Sequence, residues 1–188
     1  AQCNRVAIGC ESGSDRILKR VGKGLKVDTI RKVFAWGRKH GVERRGFFLL
    51  GMPEETREDW LLTEQLIDEI EPDVVGFTIL CPYPGTHYYD PQLHRNVDWE
   101  KADEYSNDFW STPHFTNIEL KAKQAYFKTK YDLLLNERQF GEGSTAAGAT
   151  DMRELEKESF STPIGTNVNN APDTAGIVQL DTTKRAET

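Results

Sequence analysis

An α/β fold built on parallel strands is what this chain predicts, on two patterns in its 188 residues. Three short runs, residues 6–8, 47–50 and 74–80, are apolar at nearly every position. Such runs suit the strands of a covered parallel sheet better than the in/out alternation of an exposed antiparallel one. The intervals between them carry helical spacing. The order strand, helices, strand, helix, strand is the βαβ grammar of an α/β barrel or a doubly wound sheet.

Each element has its own signal. After the first run, Ser14 is placed to cap a helix, and Asp28 to cap a second in which Ile30, Val33, Phe34 and Gly37 recur every three or four residues before Gly41 stops it. The second run ends in "GMPEET", and Thr56 opens "TRED", the spacing of a capping box. Trp60, Thr63, Ile67 and Ile70 mark one face of the helix that follows, and Pro72 closes it. Past the third run comes "CPYPGTHYYDPQLH", dense in Pro, Gly and aromatics, then "DWEKADEYSNDFW", which could hold a short helix. A longer amphipathic helix is expected over 118–138, docking through Leu120, Phe127, Tyr131, Leu134 and Leu135. Residues 140–188 are rich in Thr, Ala, Gly and Asn and read as a disordered tail, with at most a helical turn near "DMRELEKE". The division is therefore 1–97 for the sheet and its helices, 98–139 for a helical extension, and 140–188 for the tail.

Composition excludes several function classes. A net charge of −6 and a pI near 5.3 lack the basic footprint of a protein that coats nucleic acid or an anionic membrane. No stretch approaches the roughly 20 apolar residues of a membrane span, and the opening residues are not those of a signal peptide, so a soluble protein of the cytoplasm or another intracellular compartment is expected. Cys3, Cys10 and Cys81 fit neither a disulfide framework nor a CxxC metal site and read as free thiols. The four histidines make no HxxxH pattern, leaving only His87 in its aromatic loop as a candidate for touching substrate. Tyr83, Tyr88, Tyr89, Trp99, Tyr105, Phe109 and Trp110 read as a lid packed on a core.

Ligands of parallel α/β folds sit at the carboxyl ends of the strands. The first strand ends in "GCESGS", where Gly9 and Gly13 free the backbone and Glu11 and Ser12 offer polar groups. At the end of the second, Gly51 permits close approach of a ligand, Pro53 stiffens the turn, and Glu54 and Glu55 stand on the rim. Those glutamates could equally do no more than favour a helix N-terminus. The third ends in "LCPYPGT", whose prolines hold backbone carbonyls in an extended rim. None of the three has the spacing of a phosphate-cradling loop.

Taken together, "VAIGCESGSDRILKRVGKG", "FFLLGMPEETREDW" and "PDVVGFTILCPYPGTHYY" resemble the second half of a radical S-adenosylmethionine (SAM) core domain over about residues 4–90. The likeness is to the branch often joined to a cobalamin-binding domain, which includes anaerobic magnesium-protoporphyrin ester cyclases and methylthiotransferases. It implies a partial parallel (β/α) barrel, the last three units of a (β/α)6 core. The family's G-x-E-S signature falls on Gly9, Glu11 and Ser12, implying contacts to the SAM ribose or methionine portion. Its GxIxGxxE motif finds Leu49, Gly51 and Glu54 in register but has Phe47 where the first Gly belongs, with Gly46 one position away. The backbone from Ile79 to Pro82 would flank the adenine. The implied cofactors are SAM and, in a parent protein, a [4Fe–4S] cluster, with cobalamin open there as well. The CxxxCxxC loop that holds the cluster has no counterpart in these 188 residues.

The expectation is a fragment of a radical SAM enzyme that forms one wall of the SAM pocket. Its partners would be an unidentified small-molecule substrate and the missing N-terminal half of the barrel or a neighbouring domain. A second reading is a non-catalytic α/β fragment or interaction module. A third is an unrelated α/β barrel enzyme using Glu11, Glu54 and Glu55 as acid and base.

Overall fold

Three parallel strands in the order β1-β2-β3 form the sheet: β1 (Arg5–Glu11), β2 (Glu43–Leu50) and β3 (Val74–Ile79). The computed structural model describes residues 3–140 apart from 101 and 106; of the expected tail, 141–188 lies outside the described residues. Helices α1 (Asp15–Val21) and α2 (Val27–Lys39) join β1 to β2, and α3 (Arg57–Ile70) joins β2 to β3. A last helix, α4 (Asn117–Phe140), follows a long segment of turns and bends. No short helix forms among the described residues of 98–110.

The two faces of the sheet differ. Cys10, Phe48, Leu50, Phe77 and Ile79 point to the helices and join Ile30, Phe34, Trp60, Leu66 and Ile67 in one core. The same cluster takes in Trp110, Phe115, Leu120, Phe127 and Tyr131, so one core spans both the sheet region and the helical extension. In the alternate positions of β2, Phe47 is exposed and Leu49 half-buried. The opposite face of the sheet is thus open.

Caps and turns set where each helix begins. At α3 the expected capping box forms, with the Thr56 N–H donating to Asp59 Oδ2 at 2.9 Å. Thr56→Ala should cost about 1 kcal/mol, read as a lower urea midpoint, and an unchanged midpoint would remove the box from the account. Asp28 does not cap α2. The helix enters earlier, after Lys26, because the Val27 N–H is already met by Asp15 Oδ1 at 2.8 Å; Asp28 lies in the first turn and pairs with Lys32. Of the expected face of α2, Ile30, Phe34 and Gly37 are buried and Val33 is exposed. Gly37 makes room for a buried arginine: a Cβ there would stand 2.7 Å from Arg44 Cγ. Arg44 reaches past it to Asp73, Nε to Oδ2 at 2.9 Å and Nη2 to Oδ1 at 2.8 Å, tying the start of β2 to the turn before β3.

The extension is held down by specific contacts. Trp60 stacks on Phe115 with ring centroids 3.8 Å apart, and Gln124 Nε2 donates to the Phe77 carbonyl at 2.9 Å. Glu64 of α3 accepts from Tyr126 at 3.0 Å and from Lys130 at 2.5 Å. Leu120, Phe127 and Tyr131 supply the expected docking face and Leu135 is half-buried; the side chain of Leu134 lies outside those described.

Candidate functional site at the strand ends

At the end of β1 the register slips between Gly9 and Glu11, and Glu11 takes φ 61° in the left-handed region. The slip turns its carboxylate back over Gly9, where it pairs with Lys23 from the turn before α2. A Cβ on Gly9 would lie 2.6 Å from Glu11 Oε1 and 2.8 Å from Lys23 Nζ, so any larger residue there would push these two side-chain ends aside. Ser12 is fully buried instead. Its hydroxyl lies 3.3 Å from Thr63 Oγ1 and accepts the Ser14 N–H, while the Gly13 N–H donates to Thr63 Oγ1 at 2.9 Å. This side chain ties the loop to α3.

At the end of β2, Gly51 takes φ 84°, and its α-carbon faces the protein rather than open space: a Cβ would stand 3.1 Å from both Leu120 Cδ1 and Trp110 Nε1. The Trp110 indole donates to the Gly51 carbonyl at 2.7 Å, and the Gly51 N–H donates to Glu55 Oε2 at 2.7 Å. Glu55 is completely buried, and burial pushes its carboxyl up to about 7 against the opposing hydrogen bond from Gly51. Neither its Oε1 nor the nearby Trp60 Nε1 finds a partner of good hydrogen-bonding geometry. Glu54 stays half-buried on the rim, with Oε1 3.6 Å from Arg20 Nε and a buried, unpartnered Oε2. Arg16 fastens this loop through the Glu54 carbonyl at 2.9 Å and through Asp59.

At the end of β3, the Ile79 side chain is buried among the helices and Pro82 is buried as well. Their neighbourhood is already bonded: the Ile79 N–H donates to the Glu104 carbonyl at 2.9 Å, the Leu80 N–H to that of Leu50 at 2.8 Å, and Asn107 Nδ2 to the Leu80 carbonyl at 2.8 Å. Of the loop aromatics, Tyr83, Tyr89, Trp99 and Phe109 pack on one another and Tyr88 packs against the core, whereas Tyr105 is exposed. Trp110 is buried in the core, and His94, buried too, stacks on Tyr89 and lies tilted against Trp110, whereas His87 is exposed against Tyr88. A cavity of about 400 Å³ lies in this layer, lined by Leu93, Val97, Asp98 and Phe109 among others, and none of the strand-end candidates borders it.

Of the residues singled out in the sequence, Gly9, Glu11 and Leu49 come together on the open face. There they meet Lys23, Phe47, Gly76 and Thr78, none of which was in the expected set. Ser12, Gly51, Ile79 and Pro82 lie inside the fold. The acid–base reading gains no geometry, because Glu11 pairs with Lys23, Glu54 with Arg20, and Glu55 is enclosed.

The donor chemistry separates the two implied cofactors. A zwitterionic, adenosine-bearing ligand matches an open face with a carboxylate–ammonium pair at one strand and apolar side chains at the next. An iron–sulfur cluster does not match the thiols present: Cys10 is buried in the core with its thiol pushed up to about 12 by burial, Cys81 is buried and also raised, and Cys3 is exposed at the other end of β1. Among the described residues no group of three or more His, Cys, Asp or Glu could hold a metal ion. No helix among them is long and apolar enough to cross a membrane.

Residues 1–67 match the Radical SAM superfamily model, as the strand-end motifs implied. The chain is 34% identical over 122 residues to an uncharacterized methyltransferase of Pyrococcus horikoshii, covering 63% of this chain and 26% of that protein. It is 29% identical over 106 residues to the bacteriochlorophyllide d C-12(1)-methyltransferase of Chlorobaculum tepidum (55% and 23%) and 38% identical over 85 residues to a putative methylthiotransferase of Methanocaldococcus jannaschii (45% and 19%). The chain thus spans about a quarter or less of the length of the curated relatives it matches.

Proposed function

From the radical SAM segment at residues 1–67, we propose that this chain is the strand-four-to-six part of a partial (β/α) barrel and that its open sheet face is one wall of a SAM pocket. The observation that carries the reading is the Glu11–Lys23 pair folded over Gly9 at a strand end. A carboxylate and an ammonium held side by side at an open surface can exchange their mutual pairing for the hydroxyls and charges of a zwitterionic ligand. Glu11 accepts from ribose hydroxyls or an ammonium, Lys23 meets a carboxylate, and Leu49 contacts the base.

In a parent enzyme, bound SAM together with a [4Fe–4S] cluster held outside these residues would supply radical chemistry. The chain's own residues bind and orient SAM; the cluster ligands belong to a CxxxCxxC loop elsewhere in that parent, and cobalamin would be held by a further domain. Relatives named as methyltransferases and methylthiotransferases favour transfer of a methyl or methylthio group to the substrate. Buried strand ends at Gly51 and Ile79 serve the wall by fixing its shape.

Equilibrium dialysis of SAM against the 188-residue chain tests the wall. Glu11→Gln should lower affinity about tenfold, as expected for a lost charge-assisted hydrogen bond. A wild-type chain that takes up no SAM at millimolar concentration would sink the reading. A parent protein reconstituted with iron and sulfide that released no 5′-deoxyadenosine would sink the chemistry.

A further inference from the structure

The open face carries one residue that the strand-end reading leaves unused. Phe47 lies at the middle of the sheet, in register with Gly9 on β1 and with Gly76 on β3. Glycine on both sides leaves a phenyl ring standing alone in a row that would otherwise hold three side chains. The ring leans over Gly76, where a Cβ would be 2.8 Å from Cδ1 and 3.0 Å from Cε1. Covering a glycine in this way is a known device for stabilising strand pairs. It accounts for the lean, but it leaves Phe47 40% exposed, an unusual share for a large aromatic in the middle strand of a sheet.

The surroundings give the ring a direction. Toward the strand ends, the next row on the same face is Leu49 beside Thr78. Toward the strand starts lies a closed ionic network, Arg5 to Glu43 at 2.8 Å and Arg45 to Glu43 at 2.7 Å. On the β1 side is the Glu11–Lys23 pair. Phe47 and Leu49 therefore form an apolar strip on β2, closed off below by fixed charges and bordered on one side by an ion pair. A ligand that fits this pattern has a planar apolar part and a charged part. This inference rests on the SAM-wall reading, under which the planar part is adenine.

We infer that Phe47 is a specificity-determining residue of this wall: its exposed ring is a floor on which the planar base of the ligand stacks, at a position where the family's pattern carries glycine. The ring fills the space over Gly76, while the Glu11–Lys23 pair occupies that over Gly9, and so it sets how deep the base can enter.

Separate adenosine and methionine titrations of the full 188-residue chain, with SAM as reference, test this. Phe47→Ala and Phe47→Leu should each weaken adenosine binding by about tenfold while leaving methionine binding unchanged, and Phe47→Tyr should retain both. Leu keeps apolar bulk without a π face, so it isolates stacking from simple contact. Leu61→Ala, on an exposed position of α3, should match wild type. Unchanged adenosine affinity in Phe47→Ala or Phe47→Leu, or an equal loss of methionine, would overturn the inference while the SAM wall survives. A wild-type chain that binds neither SAM nor adenosine would overturn both.

Discussion

Gly13→Ala should abolish the cooperative folded state or lower stability by more than about 3 kcal/mol, the upper end of ordinary overpacking. The reason is local and severe. A Cβ at this position would stand 2.2 Å from the Leu62 carbonyl oxygen and 2.5 Å from Thr63 Cα, both backbone atoms of α3 that no rotamer change can move. Shifting α3 would also break the Gly13 N–H bond to Thr63 and the Ser12 contact beside it. Gly22→Ala is the control. Gly22 has φ 77° and nothing within 4 Å of a Cβ, so it should lose only the left-handed penalty of about 1–2 kcal/mol. Urea unfolding of the two variants decides the matter. If Gly13→Ala is no less stable than Gly22→Ala, the end of β1 does not rest on α3 as described, and the shape of this strand end has another origin.

The contrast between these two glycines shows where sequence reasoning stops. Strands, the capping box at Thr56 and the polar strand ends were legible because each is set by residues within a few positions of one another. The resemblance to radical SAM proteins was legible for the same reason, since its motifs are local runs. What each strand-end residue faces was not. Ser12 looks like a ligand-facing hydroxyl until α3 brings Thr63 against it, and Gly51 looks open until Trp110 arrives from 59 residues away to bond its carbonyl. The row Gly9–Phe47–Gly76 could be seen only once the register of both strand pairs was fixed. Lys23 carried no signal of its own; the register slip at Gly9 is what sends Glu11 toward it.

Glu54 and Glu55 make the same point with a measurable consequence. Adjacent carboxylates after a strand are indistinguishable in sequence, yet the fold half-exposes one and encloses the other. Enclosure makes Glu55 a source of pH-dependent stability. Its carboxyl is raised by burial from an ordinary 4.5 to about 7, so between those values the folded chain holds a proton that the unfolded chain has released. Raising the pH through that window must therefore favour unfolding, with a total loss of about 3 kcal/mol complete just above pH 7. Other groups titrate with the opposite sign. Despite the burial that works against it, hydrogen bonds and the neighbouring guanidinium hold Asp73 below its ordinary value, so its stabilisation is present at neutral pH and lost on acidification. His94, lowered by burial, gains stability as pH rises. The difference between wild type and Glu55→Gln removes both contributions, since neither group is altered. Urea midpoints taken from about pH 5 to pH 8 should show wild type falling relative to Glu55→Gln, whose amide oxygen can still accept the Gly51 N–H. Parallel curves for the two proteins would mean that Glu55 is ionised in the fold across this range. In that case the contact between Gly51 and Trp110 would have to tolerate a buried charge beside it.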